Sequence, residues 1–265
     1  MGTVPDNVRS APIIAVQASG TVPPEQSFVG GAANAGTVGF RTPASIMLVS
    51  KPIRLGGGKV RDVLTFDEVI DLVRARPGLR LIGIDGLSLA GKSTLAGQLA
   101  EAAGGACIQL DDFVKPETEW RWHDRPSFPF DYIRYDEFMA AVRHVAENGW
   151  CQYRPYNWET GKIEDVDRVV KADGPVIVEG VSALHPDLAS LYGLRIWVES
   201  DAASTLAASV ARGVGNWMHE WEEMFLPSVG LYLETDPRTR ADVLAAGRGF
   251  AIQSPGVCRG MGTLP

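Results

Sequence analysis

LIGIDGLSLAGKST, residues 81–94, joins a short apolar run to the pattern G-x-x-x-x-G-K-[ST]. Gly86 and Gly91 lack a Cβ atom, so the backbone between them can turn tightly and present successive N–H groups to phosphate oxygens. In this pattern Lys92 supplies a positive charge to the β- and γ-phosphates, and Ser93 offers its hydroxyl to Mg²⁺. The stretch therefore predicts a loop that binds a nucleoside triphosphate.

The residues on either side of the loop have the periodicity that the pattern requires. Residues 80–84 are typical of a buried strand, and residues 95–103 are typical of a helix that a Gly-Gly pair ends. The helix begins near Lys92 and directs its positive N-terminal end at the same phosphates. Thr94 either packs within this helix or contacts an outer phosphate. The alternative is a glycine-rich turn that binds nothing, but the strand–loop–helix order favours the binding loop.

The composition and the charge narrow the class of protein. The chain has 265 residues, of which 45% are hydrophobic and 22% charged, and its formal net charge is −7. This length suits one α/β domain with an extension, and the negative charge disfavours the basic surface that nucleic-acid-binding proteins carry. No apolar run approaches the roughly 18 residues of a membrane span. We expect a cytoplasmic enzyme that acts on small ligands, with neither a nucleic-acid nor a membrane partner; its oligomeric state is open.

Changes in composition divide the chain into three segments. Residues 1–60 are rich in Gly, Ala, Val, Pro and Ser and have no sustained period, which predicts a disordered or loosely packed leader. A partly packed arm and an extension from an early start codon are both open for this leader. Residues 61–249 form the predicted P-loop domain, and residues 250–265 are predicted to be a loose tail.

Within the predicted domain, strand signals alternate with helix signals. Thr65 and Glu68 form a capping box before a helix that ends near Pro77. Further strands are predicted at 106–110, 176–178, 194–198 and 241–244, and further helices at 135–148, at 202–211 after Asp201, and after Asn216. This alternation predicts an α/β fold with three layers, in which a mostly parallel sheet lies between helices.

Acidic residues follow three of these strands, at the carboxyl edge where open α/β sheets bind ligands. Asp85 directly precedes the loop, and we interpret it as structural. Asp111 and Asp112 form either a turn or a helix cap, or else a carboxylate near the γ-phosphate that orients an acceptor hydroxyl and receives its proton. Glu179 ends an unbroken apolar run, where an acidic residue would serve a Mg²⁺ ion or its bound water.

These motifs, in this order, resemble the uridine kinase and phosphoribulokinase group of P-loop kinases. The resemblance covers about residues 79–244 and rests on the P-loop, on the L-D-D-F element at 110–113 and on the V-I-V-E-G-V element at 176–181. It implies the nucleoside and nucleotide kinase form of the P-loop NTPase fold. It also implies Mg²⁺-dependent transfer of the γ-phosphate of ATP to a hydroxyl of a small, nucleoside-like acceptor. Asp111 would then be the base, and Glu179 would serve the Mg²⁺ site.

The resemblance implies three further site residues. Asp124 lies in a segment similar to the family's D-H-P element, whose Asp holds the sugar hydroxyls of the acceptor. Tyr156 corresponds to a tyrosine that lines the acceptor pocket, and Arg212 falls where the family places a lid arginine over the phosphates. The sequence departs from the family at Val114, Asn157 and Gly213, and the region after Arg212 lacks the family's run of arginines. The identity of the acceptor therefore stays open.

Two groups of aromatic residues have alternative interpretations. Those of the irregular segment either stack on an acceptor ring or anchor the segment to the sheet; they are Trp120, Trp122, Phe128, Phe130 and Tyr132. The helical stripe of Trp217, Trp221, Met224 and Phe225 is predicted to be core. Two alternatives to a kinase are a nucleotide-binding switch or regulatory ATPase without a small-molecule acceptor, and a non-catalytic relative. The chain lacks the N-K-x-D element of guanine-specific switches.

Overall fold

The computed structural model describes residues 63–121, 125–201, 203–205, 207–208 and 218–251. The predicted leader and residues 252–265 of the predicted tail lie outside this part of the chain, and so do Asp124, Arg212, Asn216 and Trp217. The limits of the predicted P-loop domain therefore stay predictions.

Ten strands are present in the described residues. They are β1 (Val63–Leu64), β2 (Leu81–Gly86), β3 (Ala106–Gln109), β4 (Trp150–Tyr153), β5 (Tyr156–Asn157), β6 (Lys162–Ile163), β7 (Arg168–Lys171), β8 (Val176–Glu179), β9 (Leu194–Glu199) and β10 (Val243–Ala246). Six of them form one sheet in the order β1-β10-β9-β2-β8-β3, and every neighbouring pair in it is parallel. The sheet places the ends of β2, β8 and β3 next to one another.

Helices cover both faces of this sheet. The α-helices are α1 (Phe66–Arg74), α2 (Lys92–Ala103), α3 (Glu117–Trp120), α4 (Tyr135–Asn148), α5 (Pro186–Ala189), α6 (Met218–Glu220) and α7 (Leu226–Leu233). A π-helix (Trp221–Phe225) joins α6 to α7, and 3-10 turns lie at Leu110–Phe113 and Pro237–Arg240. One apolar cluster packs α1 and α2 on the sheet, and a second cluster contains α4, α5 and α7 residues. The three-layer α/β fold is confirmed.

Local signals account for the helix ends nearest the phosphate loop. The Thr65 hydroxyl accepts the Glu68 N–H at 3.2 Å while the Glu68 carboxylate accepts the Thr65 N–H at 2.7 Å, so the predicted capping box is present. Helix α2 begins at Lys92 and ends at Ala103, and its C-terminal cap is Gly104, whose φ of 62° lies in the left-handed region that favours glycine.

The observed strand limits differ from the predicted ones by one residue at several strand ends and by two residues at two places. Strand β2 continues through Asp85 to Gly86 instead of ending at residue 84, because it pairs with β9 as far as Val198. The last strand occupies 243–246 instead of 241–244. The carboxylate of Asp242, the residue before this strand, accepts hydrogen bonds from the backbone and side-chain N–H groups of Arg195.

The two small antiparallel sheets were not predicted. Strands β4 and β7 pair with each other, and so do β5 and β6. In β4 the side chains alternate, with Cys151 and Tyr153 buried and Trp150 and Gln152 exposed. This period of two is typical of a strand, but four residues carry it only weakly.

Trp120 and Phe130 anchor the irregular aromatic segment, whose Trp122 lies outside the described residues. Trp120 and Phe130 are fully or almost fully buried. Trp120 packs on Phe225 with ring centroids 5.5 Å apart, and Phe130 lies 6.2 Å from Tyr232. Met224 is also buried, which confirms the predicted core position for that member of the stripe. Within the described residues, no helix is both long and apolar enough to cross a membrane.

Candidate active site

The phosphate loop connects the end of β2 to the start of α2 in a conformation that requires glycine. Gly86 has a φ of 147° and Gly91 a φ of 109°, values that L side chains rarely adopt. A Cβ atom at Gly86 would lie 2.6 Å from the carbonyl oxygen of Val198 on the neighbouring strand. The loop geometry that the sequence pattern predicts is therefore present.

Lys92 and Ser93 occupy the first turn of α2, beside the loop. The Lys92 ammonium donates a hydrogen bond to the carbonyl oxygen of Leu87 at 2.8 Å, so the side chain folds back over the loop. The Ser93 hydroxyl donates to Oε1 of Glu179 at 3.0 Å. Ser93 and Thr94 are both exposed, whereas Lys92 is buried. The amine, the hydroxyl and the carboxylate therefore meet at one edge of the sheet.

Glu179 reaches this edge because β8 lies directly beside β2, with Ile84 and Glu179 in register. Its side chain is buried, and burial raises the pKa of Glu179 to about 7. The positive charge of Lys92 opposes this rise, while the negative charge of Asp111 adds to it. A nearby cation would stabilise the ionised form of this buried carboxylate.

The pair of Ser93 and Glu179 suits a Mg²⁺ ion. Mg²⁺ prefers hard oxygen ligands and is usually held by one or two protein side chains, with phosphate oxygens and water completing its six ligands. The hydroxyl and the carboxylate oxygen, 3.0 Å apart, are such a partial set. Among the residues that the structure describes, no group of three or more His, Cys, Asp or Glu could hold a metal by itself.

The two neighbouring aspartates have different surroundings. Asp112 is buried; it accepts the Tyr153 hydroxyl at 2.8 Å and pairs with Arg168 at 2.5 Å. Asp111 is exposed, and its charge acts on the pKa of Glu179. The 3-10 turn thus directs one carboxylate into the protein and leaves the other near the end of β8.

Asp85 has the structural role that the sequence predicts. It is fully buried and accepts backbone hydrogen bonds from Gly86 at 2.7 Å, from Ser182 at 3.1 Å and from Leu184 at 2.8 Å. The hydroxyl of Tyr232 is its fourth donor. Asp85 therefore joins β2 to the loop after β8 and to α7.

Of the residues carried over for the acceptor and the lid, only Tyr156 lies in the described part of the chain. It belongs to β5 and is 4% exposed, and burial raises its pKa to about 12, with the charge of Glu117 adding to the rise and that of Arg121 opposing it. Its hydroxyl has no hydrogen-bond partner among the described residues. The surroundings predicted for Asp124 and Arg212 stay predictions.

A cleft of about 300 Å³ beside the phosphate loop was missed by the sequence reasoning. Its lining comprises Phe66, Ala90, Gly91, Thr94, Ala246, Gly247 and Arg248. The loop after β10 closes one side, because Arg248 donates from its backbone N–H to Ala90 at 2.9 Å and from its side chain to Leu89 at 2.9 Å. Gly247 allows this approach, since a Cβ there would lie 2.3 Å from the Ala90 carbonyl oxygen. No local pattern marks Phe66 as more than a core position.

Comparisons with known proteins agree with the resemblance and with the fold. The chain is 29% identical over 141 residues to a uridine kinase of Clostridium perfringens strain SM101, which covers 50% of this chain and 67% of that enzyme. It is 29% identical over 143 residues to a uridine kinase of Clostridium novyi strain NT, covering 51% of this chain and 68% of the relative. A solved structure of a possible uridine kinase from Bacillus stearothermophilus matches with a TM-score of 0.53 at 21% identity, over 68% of this chain and 96% of that one. No protein-family model matches the chain. The chain is thus uridine kinase-like in sequence and has the P-loop kinase fold.

Proposed function

We propose that this protein is an ATP-dependent kinase that transfers the γ-phosphate to a hydroxyl of a small, nucleoside-like acceptor. The observation that carries the proposal is the contact between Ser93 and Glu179 beside Lys92, with Asp111 close enough for its charge to act on Glu179. A phosphate-binding loop, a partial Mg²⁺ site and a separate exposed carboxylate are the parts that phosphoryl transfer to an alcohol requires.

The triphosphate of the donor nucleotide would bind to the loop from Gly86 to Thr94, and its nucleobase would lie in the adjoining cleft. Backbone N–H groups and the N-terminus of α2 would hold the phosphate oxygens. Lys92 would exchange its bond to the Leu87 carbonyl for a phosphate oxygen. The ring of Phe66 would pack on the nucleobase, and Thr94 lines the same cleft.

Ser93 and Glu179 would hold Mg²⁺, which when bound neutralises charge on the phosphate oxygens. The chain's own residues then have to position the acceptor. Asp111 would accept the proton of the acceptor hydroxyl as its oxygen bonds to the γ-phosphorus, while the bond from that phosphorus to the β–γ bridging oxygen breaks and ADP leaves. From the resemblance we propose Asp124 and Tyr156 for the acceptor and Arg212 for the lid.

A regulatory ATPase without a small-molecule acceptor is the second candidate. An assay of ADP formation separates the two. Purified protein with ATP and Mg²⁺ is incubated alone and with each member of a panel of nucleosides and sugars, and mass spectrometry identifies the phosphorylated product. A kinase forms ADP mainly when its acceptor is present. The amount of ADP then equals the amount of phosphorylated acceptor. ADP formation that no acceptor stimulates would contradict the proposal and favour the ATPase.

We expect the protein to act in the cytoplasm on ATP and one small molecule, without binding nucleic acid or a membrane. The formal charge of −7 disfavours nucleic acid as a partner.

A further inference from the structure

Arg134, the residue that caps the start of α4, has a side chain that is only 9% exposed. Its guanidinium donates to the backbone carbonyl oxygens of Val114 at 3.3 Å, Asp112 at 2.9 Å and Arg154 at 2.8 Å, and it pairs with Glu137. Four of the five N–H groups of the guanidinium are therefore bound within the protein. An open cleft of about 470 Å³ lies beside this side chain, but the bound N–H groups leave at most one for a ligand there.

The carbonyl groups that Arg134 binds belong to the turn that carries Asp111 and to its exit. This 3-10 turn spans Leu110–Phe113, and the last carbonyl groups of a helical turn have no partner within it. The backbone N–H of Arg134 donates to the carbonyl oxygen of Phe113 at 2.8 Å. With the two side-chain bonds to Asp112 and Val114, Arg134 thus binds three successive carbonyl groups.

Packing holds the same turn from its inner side. The ring of Phe113 is fully buried, and the guanidinium carbon of Arg134 lies 5.6 Å from its centroid. A single antiparallel bridge also pairs Val114 with Ile133, the residue before Arg134. The inner side and the exit of the turn are therefore fixed, while Asp111 is exposed on its other side.

An arginine suits this position better than a lysine. The guanidinium is a planar fork whose N–H groups point in several fixed directions, whereas an ammonium is a compact charge on a flexible stem. A lysine at 134 could not bind the carbonyl groups of Asp112, Val114 and Arg154 at the same time. The turn would then lose part of what fixes its backbone.

The position of the turn matters because a general base has to lie within hydrogen-bonding reach of the proton it accepts. A displacement of about 1 Å can lower the rate of a reaction by a factor of about 10². We infer, on the basis of the proposed kinase function, that Arg134 is a positioning residue, whose guanidinium fixes the turn so that Asp111 can reach the acceptor hydroxyl.

The test is a double-mutant cycle on kcat, with wild type, Arg134→Lys, Asp111→Asn and the double variant. The acceptor is the nucleoside or sugar of the panel above that gives the fastest transfer, and both substrates are saturating. Arg134→Lys should lower kcat about 10- to 100-fold and leave the KM for ATP within about twofold. In the Asp111→Asn background the same substitution should cost less than about threefold, because the base on which Arg134 acts is already missing.

Two further variants separate positioning from folding. Arg195→Lys is the matched control, because Arg195 also makes a forked contact, to Asp242 before β10, away from the turn. It should leave kcat unchanged in both backgrounds. Glu137→Gln removes the exposed carboxylate that pairs with Arg134, and it should lower kcat about two- to fivefold, the range for an exposed ion pair. If Arg134→Lys does not fold by circular dichroism, Glu137→Gln in both backgrounds decides the question.

Each outcome separates the role of Arg134 from the proposed function. An unchanged kcat in Arg134→Lys, or a loss as large in the Asp111→Asn background as in the wild type, overturns the positioning role and leaves the kinase intact. Wild-type kcat in Asp111→Asn overturns both the base and the residue that positions it. ADP formation that no acceptor stimulates overturns the kinase itself.

Discussion

Tyr153 donates its hydroxyl to Oδ2 of Asp112 at 2.8 Å across 41 residues of sequence, and this contact distinguishes two adjacent aspartates. Because Arg168 pairs with the same oxygen, Asp112 connects the β4–β7 sheet to the end of β3. Asp111 remains exposed near Glu179. These two contacts anchor Asp112 in the fold, and Asp111 stays the proposed base.

Asp111→Asn should lower kcat by a factor on the order of 10² to 10⁴, the usual contribution of a general base. The asparagine keeps the size of the side chain but cannot take up the proton of the acceptor. Isothermal titration with a non-hydrolysable ATP analogue should give the same affinity as the wild type.

Asp112→Asn is the matched control, with the same chemical change one residue away. It weakens the pairing with Arg168 and the hydrogen bond from Tyr153, so we expect the free energy of unfolding to fall by about 1 to 3 kcal/mol. Urea denaturation measures this loss, and kcat of the folded fraction should stay close to that of the wild type. The opposite pattern, with Asp112 controlling turnover and Asp111 only stability, would exchange the two assignments.

Glu179→Gln should increase the Mg²⁺ concentration needed for half-maximal transfer, because an amide is a weaker ligand for a hard cation than a carboxylate. Ser93→Ala should act in the same direction, since it removes the other proposed oxygen ligand. A titration of Mg²⁺ at saturating ATP gives the half-maximal concentration for each variant. Chelation by EDTA should abolish transfer by the wild type, and a Mg²⁺ dependence that both variants share with the wild type would contradict the proposed metal site.

Phe66→Ala should raise the KM for ATP several-fold, because the lost contact with the nucleobase removes roughly 1 to 2 kcal/mol of binding free energy. The KM for the acceptor should not change, because the cleft adjoins Thr94 on the donor side. Ile70→Ala, on the same helix but outside that lining, controls for loss of packing in α1. Equal effects of both substitutions on the KM for ATP would show that helix α1 acts through stability alone.

The parts of the fold that sequence predicts well are those with signals confined to a few residues. The phosphate loop is specified by two positions where the backbone conformation favours glycine, Gly86 and Gly91. The start of α1 is specified by reciprocal hydrogen bonds between Thr65 and Glu68. Strands β2 and β8 are buried along their whole length and mostly apolar, as expected where helices cover both faces of a parallel sheet.

The missed features depend on contacts between distant segments. Nothing local distinguishes Asp111 from Asp112, because Tyr153 and Arg168 make that difference from 41 and 56 residues away. Phe66 belongs to a cleft only because the loop after β10 folds onto the phosphate loop. Glu220 stands in a polar helical turn, and its pairing with Arg121 spans 99 residues.

Tyr232→Phe should lower the free energy of unfolding by about 1.5 to 3 kcal/mol, the range for a hydrogen bond to a charged group. Its hydroxyl donates to Asp85, and burial raises the pKa of that carboxyl while the hydrogen bond from Tyr232 and those from backbone N–H groups oppose the rise. Tyr192→Phe is the matched comparison, because Tyr192 is also buried but donates to the neutral carbonyl of Ala183 at 2.8 Å. It should cost only about 0.5 to 1.5 kcal/mol. Urea denaturation of both variants at neutral pH gives the two values. A larger loss for Tyr232→Phe is the result expected for an ionised Asp85, whereas equal losses would mean that its carboxyl is neutral in the folded protein.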